Sequence, residues 1–194
     1  MNYLAHFYLA QPDKDLIFGN YIGDGVRGSK LVQFAEPVQR GIRFHRFIDS
    51  FTDAHELVLE AKSMFYPTQS KFSGVVVDVL FDHLLATNWQ TYSNEYLNQF
   101  AQRCYAVIDD HNGVMPVRSE RFYRYMVSNN ILEQYQHREG IRKVLLGMDS
   151  RTKFSSNMAE SVDVLDEVSS DLNRIFQGFF PELKRECERW RAEN

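Results

Sequence analysis

The sequence predicts an all-α fold in a single compact domain spanning residues 1–194. Apolar residues recur at helical spacing through most of the chain. Prolines and glycines fall mainly between those periodic segments, with no internal repeat, low-complexity tract or long linker. A 44% hydrophobic share, rich in Phe and Tyr, supplies one largely aromatic core for 194 residues.

The segment Tyr3 to Ala10 is apolar and begins a helix. Asp13 or Asp15 can cap a second, running through Phe18 and Ile22 to about Arg27, where Gly28 ends it. Pro37 suits the first turn of a third helix, which carries Ile42, His45 and Asp49. Thr52 or Asp53 opens a stretch that stops before Pro67. From Ser70 to Trp89 a run of valines has β propensity, but Val75, Val79, Leu80 and Leu84 keep helical period over too long a span for a strand, so a central buried helix is expected. Ser93 can cap the next helix, which ends near Asn112-Gly113. Helices are expected over Glu120 to Val127 and Gly140 to Met148. A long one starts near Ser155 or Asn157, breaks at Gly178 and restarts at Pro181 with an amphipathic, solvent-facing end.

A net charge of -4 does not favour nucleic acid or an anionic membrane surface as a general partner. No apolar run has the ~18 residues of a membrane span, and MNYLAHFYLA lacks a signal's basic opening. Cys104 and Cys187 have no metal spacing and read as reduced, buried thiols, which suits a cytoplasmic protein. Between Val26 and Phe47, Arg27, Lys30, Arg40, Arg43 and Arg46 face Glu36 alone. This is either a solvated helix face or a basic rim for a phosphorylated substrate or acidic partner. Arg118, Arg121 and Arg124 recur every third residue, as a basic docking stripe or a solvent-exposed helix face.

Chemistry concentrates in the first half. His45 and Asp49, four apart, share a helix face and can reach one ion, or form an exposed pair. Asp78 and Asp82 repeat that spacing inside an apolar run, with His83 adjacent. Buried acids must be paired or bound to a cation, here a metal or an arginine such as Arg43 or Arg46. Asp24 lies between Gly23 and Gly25, in a phosphate-approach loop or a plain helix terminus. His6 is a core histidine or a supporting group. His55, His111 and His137 read as surface residues. No Walker motif, Gly-x-Ser-x-Gly or papain-like cysteine pattern is present.

Together, NYLAH at Asn2 to His6, GNYIGDGVRG at Gly19 to Gly28, GIRFHRFIDSFTD at Gly41 to Asp53, DVLFDHLLATNW at Asp78 to Trp89 and GMDSR at Gly147 to Arg151 resemble the acyl carrier protein phosphodiesterase family over most of the chain. That family is similar to the all-helical, metal-dependent HD-type phosphohydrolases, although Asp82-His83 reverses the HD order. The resemblance implies an HD-like helical architecture and hydrolysis of holo-acyl carrier protein to the apo form, with release of 4'-phosphopantetheine. It implies a divalent ion, Mn²⁺ first, with Mg²⁺, Fe²⁺ or Zn²⁺ as alternatives. Asp24, His45, Asp49, Asp78 and Asp82 are the expected ligands, and Asp24, Asp82 and His83 the expected catalytic groups. His6 and Asp53 would support them, and Arg27, Arg43, Arg46 and Arg151 would meet phosphate or carrier protein. The competing readings are hydrolysis of a nucleotide or small phosphoester, and a non-catalytic module that binds a carrier protein.

Overall fold

Two glycines set the closest helix crossing. A Cβ on Gly19 would lie 2.5 Å from the Gly41 Cα, so α2 (Lys14–Ile22) and α3 (Glu36–Ala54) pack backbone to backbone. The computed structural model describes residues 1–152 and 156–194, and among these all regular structure is helical. Around the crossing lie α1 (Tyr3–Ala10), α4 (Glu56–Gln69), α5 (Ser73–Thr87), the short α6 (Trp89–Tyr92), α7 (Leu97–Asp109), α8 (Val117–Ser128), the short α9 (Ile131–Gln134), α10 (Arg138–Asp149) and the long α11 (Leu165–Glu193). No helix among the described residues is long and apolar enough to cross a membrane.

The aromatic core is present. Phe7, Phe18, Phe44, Phe65, Phe81 and Phe100 are fully buried, and α11 contributes Phe176, Phe179 and Phe180. Phe176 and Phe180 stack with centroids 5.0 Å apart, and Phe81 meets Phe176 edge-on at 5.5 Å. The valine-rich segment is the helix α5, as its periodicity indicates. Cys104 and Cys187 are buried free thiols.

Several boundaries differ from expectation. The second helix ends at Ile22 rather than near Arg27; a 3₁₀ turn, Gly23–Gly25, follows, and Gly28 takes a left-handed φ of 54° that favours glycine. The third helix continues through Thr52 and Asp53 to Ala54. His55 then caps α4, its Nδ1 accepting from the Leu57 amide at 3.2 Å. Pro67 lies inside α4 rather than beyond it. Ser93 caps only a turn, accepting from the Glu95 amide at 3.1 Å, and α7 starts at Leu97.

The last helix is unbroken at Gly178 and Pro181, because burial of its phenylalanine face offsets the one backbone bond proline removes. It begins at Leu165. The expected start at Ser155 lies outside the described residues, and Asn157 instead opens a 3₁₀ turn, Met158–Val162. Its last turns are amphipathic but not wholly solvent-facing: Leu183 and Cys187 are buried, and Arg191 donates to the Leu9 and Gln11 carbonyls at 3.1 and 2.7 Å.

The Asp82 carboxylate ties α5 to α1. It is fully buried and accepts from the backbone amides of Asn2 (3.1 Å), Leu4 (2.7 Å) and Ala5 (3.4 Å). These are the unpaired donors of a helix N-terminus, and a carboxylate there also meets the positive end of the helix dipole. Burial nevertheless pushes this carboxyl up to about 7, against the pull of the nearby terminal amine and the amides. Asp82→Ala strands those amides in the core, a loss of at least about 3 kcal/mol. In a chain of this size that lowers Tm by roughly 6–12 °C. Asp82→Asn keeps one acceptor oxygen and should fall between the two in a thermal melt.

Candidate metal centre

The third helix carries His45 and Asp49 one turn apart, and α1 brings His6 across to them. The ligand-capable atoms of His6, His45 and Asp49 all lie within 4.8 Å of one another. His6 Nε2 is 3.1 Å from Asp49 Oδ1, and His45 Nε2 is 3.1 Å from Asp49 Oδ2. Asp24, on the turn after α2, places Oδ1 3.2 Å from His45 Nε2. The two imidazole rings lie 4.5 Å apart. Gly23 makes the turn possible, since a Cβ there would collide with the His45 ring.

Proton bookkeeping shows what the cluster lacks. The Asn20 amide nitrogen donates to the Leu16 carbonyl at 3.0 Å, which turns its Oδ1 toward His6 Nδ1 at 2.8 Å. His6 therefore faces an oxygen at each ring nitrogen, Asn20 on one side and Asp49 on the other. A neutral imidazole carries one N–H and can satisfy only one of them. Burial and the neighbouring His45 charge lower the pKa of His6 and keep it neutral. With the proton on Nδ1 toward Asn20, the bare Nε2 lone pair is directed at a carboxylate, an arrangement a cation relieves. Two carboxylates likewise converge on His45 Nε2. The donor set of two imidazoles and two carboxylates suits a divalent transition ion.

The electrostatics agree. Burial opposes the charged form of His45, but hydrogen bonds to Asp24 and Asp49 outweigh it and raise the group to about 9. Burial also opposes charge on Asp49, yet the bond with His45 holds it far below the usual carboxylate range. The hydrogen bond from His45 lowers Asp24.

These residues line a cavity of about 340 Å³, which also takes in Asn20, Thr52, Asp53, Asp78 and Arg151. The structure gives other work to several residues expected at the metal. Asp78 reaches the cavity but pairs with the terminal amine of Met1 at 2.7 Å, and Asp82 holds α1 instead of facing the cavity. His83 is buried on another side of α5, its Nδ1 bonded to the Tyr135 carbonyl at 2.6 Å, away from the cavity lining. Adjacent helical residues diverge by about 100°, which turns Asp82 toward the α1 amides and the His83 Nδ1 toward Tyr135. Asp53 pairs with Lys62 at 2.6 Å.

Of the four expected arginines, only Arg151 lines the cavity, its guanidinium 5.0 Å over the Phe122 ring. Arg46 pins the turn by donating to the Val26 and Gly28 carbonyls at 2.8 and 3.3 Å. Arg43 is paired with Glu36, and Arg27 is exposed outside the cavity. Asn20 leaves a single trace in the sequence, an amide side chain inside an apolar helix.

Two measurements test this centre. Asn20→Leu removes the acceptor that orients His6 and should weaken Mn²⁺ binding roughly 10–100-fold in calorimetry while the fold persists. The second is pH. His45 has a higher proton affinity folded than unfolded, so its contribution is complete below its ordinary value of 6.5 and lost as pH rises toward about 9. Metal-free protein should lose Tm over that range, and His45→Gln should lose less.

A family model described as acyl carrier protein phosphodiesterase matches residues 1–183. Relatives bearing that name are 32% identical over 189 residues in Yersinia pestis, covering 97% of this chain and 98% of theirs. The Photorhabdus laumondii relative is 30% identical over 97% of this chain and 96% of its own, and that of Escherichia coli O6:H1 is 32% identical over 97% and 98%. No solved structure matches the chain. The near-complete coverage and the whole-length family match establish that this chain belongs to the acyl carrier protein phosphodiesterase family.

Proposed function

We propose that the protein hydrolyses the phosphodiester between 4'-phosphopantetheine and the serine of holo-acyl carrier protein, using a divalent ion, Mn²⁺ first, held by His6, His45, Asp49 and Asp24. The observation that carries this is the neutral His6 ring with an oxygen acceptor at each nitrogen, beside a second imidazole flanked by two carboxylates. A divalent ion in such a site lowers the pKa of water and offsets charge developing on a phosphoryl group.

The chain's own residues do the rest. Asn20 keeps the His6 proton on Nδ1 and so leaves Nε2 free to ligate. Asp49 spans the two imidazoles and fixes their separation. Arg151, at the cavity wall, is placed to meet the phosphodiester's negative charge. Asp24 has its side chain 72% exposed, so it can receive or pass a proton at the solvent edge. His83 is left out of this assignment because its Nδ1 is bonded to the Tyr135 carbonyl and it does not line the cavity. Exposed Arg27 and Lys30, near the turn carrying Asp24, suit an acidic carrier protein. The kinship to HD-type hydrolases rests on helix-borne His and Asp donors, and a cytoplasmic setting goes with the substrate and the free thiols.

Incubation of holo-carrier protein with the enzyme and Mn²⁺, followed by intact-mass analysis, should show loss of the prosthetic arm. His45→Ala and Asp49→Ala should reduce the rate by at least about 10³-fold, the scale of losing a principal charge-stabilising group. A carrier that keeps its arm under wild-type enzyme would overturn the reading.

A further inference from the structure

The metal donors account for only part of the cavity lining. The lining also includes Val75, Phe122, Ile131, Val144 and Met148, with Gly147 of α10 among them. Phosphate has no use for such walls; burying an anion against them would cost free energy. Two hydroxyls in the same lining lack hydrogen-bond partners. Thr52 is 1% exposed with no partner for Oγ1, and Tyr135 is 0% exposed with none for its phenol oxygen. Buried hydroxyls are nearly always paired, so two in one cavity point to a ligand that completes them. The ligand these features describe is slender, largely aliphatic and punctuated by amide or hydroxyl groups. Small-molecule sites have this composition: apolar walls with a few placed polar atoms.

Gly147 is what leaves room. A Cβ there would have only the Tyr125 hydroxyl within reach, at 4.0 Å. The glycine serves no close helix packing, and in the last turn of α10 it is a poorer helix former than alanine. That cost is explained if the space beside it is occupied by something other than protein.

We propose that the apolar part of the cavity, walled largely by residues of the α8–α10 stretch, is the binding compartment for the pantetheine arm, kept open by Gly147, with the Tyr135 and Thr52 hydroxyls bonding its polar groups. This rests on the phosphodiesterase reading and deepens it: the enzyme recognises the group it releases, not only the carrier protein that bears it. Amides in the arm match the hydroxyl donors, and its methyl-bearing carbons match Val144 and Met148.

The test uses pantetheine itself, which has neither phosphate nor protein attached. Calorimetry should show it binding to the wild-type protein, and Gly147→Leu should weaken that binding roughly tenfold or more by filling the compartment. Tyr135→Phe, which keeps the ring, should weaken it several-fold. Gly147→Leu should melt no lower than wild type, because leucine is the better helix former, and Mn²⁺ should raise its Tm as much as it does that of wild type. Equal pantetheine affinity in wild type and Gly147→Leu, or no binding to wild type, overturns the compartment. Pantetheine binding by a protein that leaves holo-carrier uncleaved sinks the activity and keeps the compartment. Cleavage with an unchanged KM in Gly147→Leu sinks the compartment and keeps the activity.

Discussion

One buried carboxylate sets the geometry on which everything else rests. Asp82 reaches from the middle of α5 to the first amides of α1 and fixes how far that helix penetrates the bundle. His6 lies one turn further along α1, so its reach to Asp49 is a consequence of that anchor. The Gly19–Gly41 crossing fixes the other coordinate, since α2 carries Asn20 and α3 carries His45 and Asp49. Two contacts that touch no substrate thus place three donors to within a few ångströms. This is the usual division between a supporting shell and the groups it aims.

Much of this was legible in advance, for identifiable reasons. The helical period of α5 outweighed its valines because segment length and periodicity are strong signals. His45 and Asp49 were legible as a pair because four-residue spacing is local geometry. His6 was harder: its partners lie 14 and 43 residues away, and nothing local distinguishes it from an ordinary core histidine. Asp82 drew the right inference about cost and the wrong one about partner. A buried acid must be satisfied, but backbone amides of a distant helix leave no trace in composition. Local propensity marks Gly178 and Pro181 as breakers, and tertiary burial of the neighbouring phenylalanines overrides it.

The charged residues near the site divide the same way. Arg43 and Arg46, promising as a basic rim, are committed to Glu36 and to two carbonyls of the Gly28 turn. Arg151, a hundred residues further on, is the guanidinium that lines the cavity. Sequence proximity to the donors was a poor guide because the bundle folds its C-terminal half over the same opening.

That division has an evolutionary consequence. The donor imidazoles and carboxylates all come from the first 50 residues, whereas most of the apolar lining of the same cavity comes from positions 122–151. Substitutions in the later stretch can reshape what enters without disturbing the donors, and distant sites of this kind combine nearly additively. A descendant could therefore change its preferred cargo while inheriting the reactive centre intact.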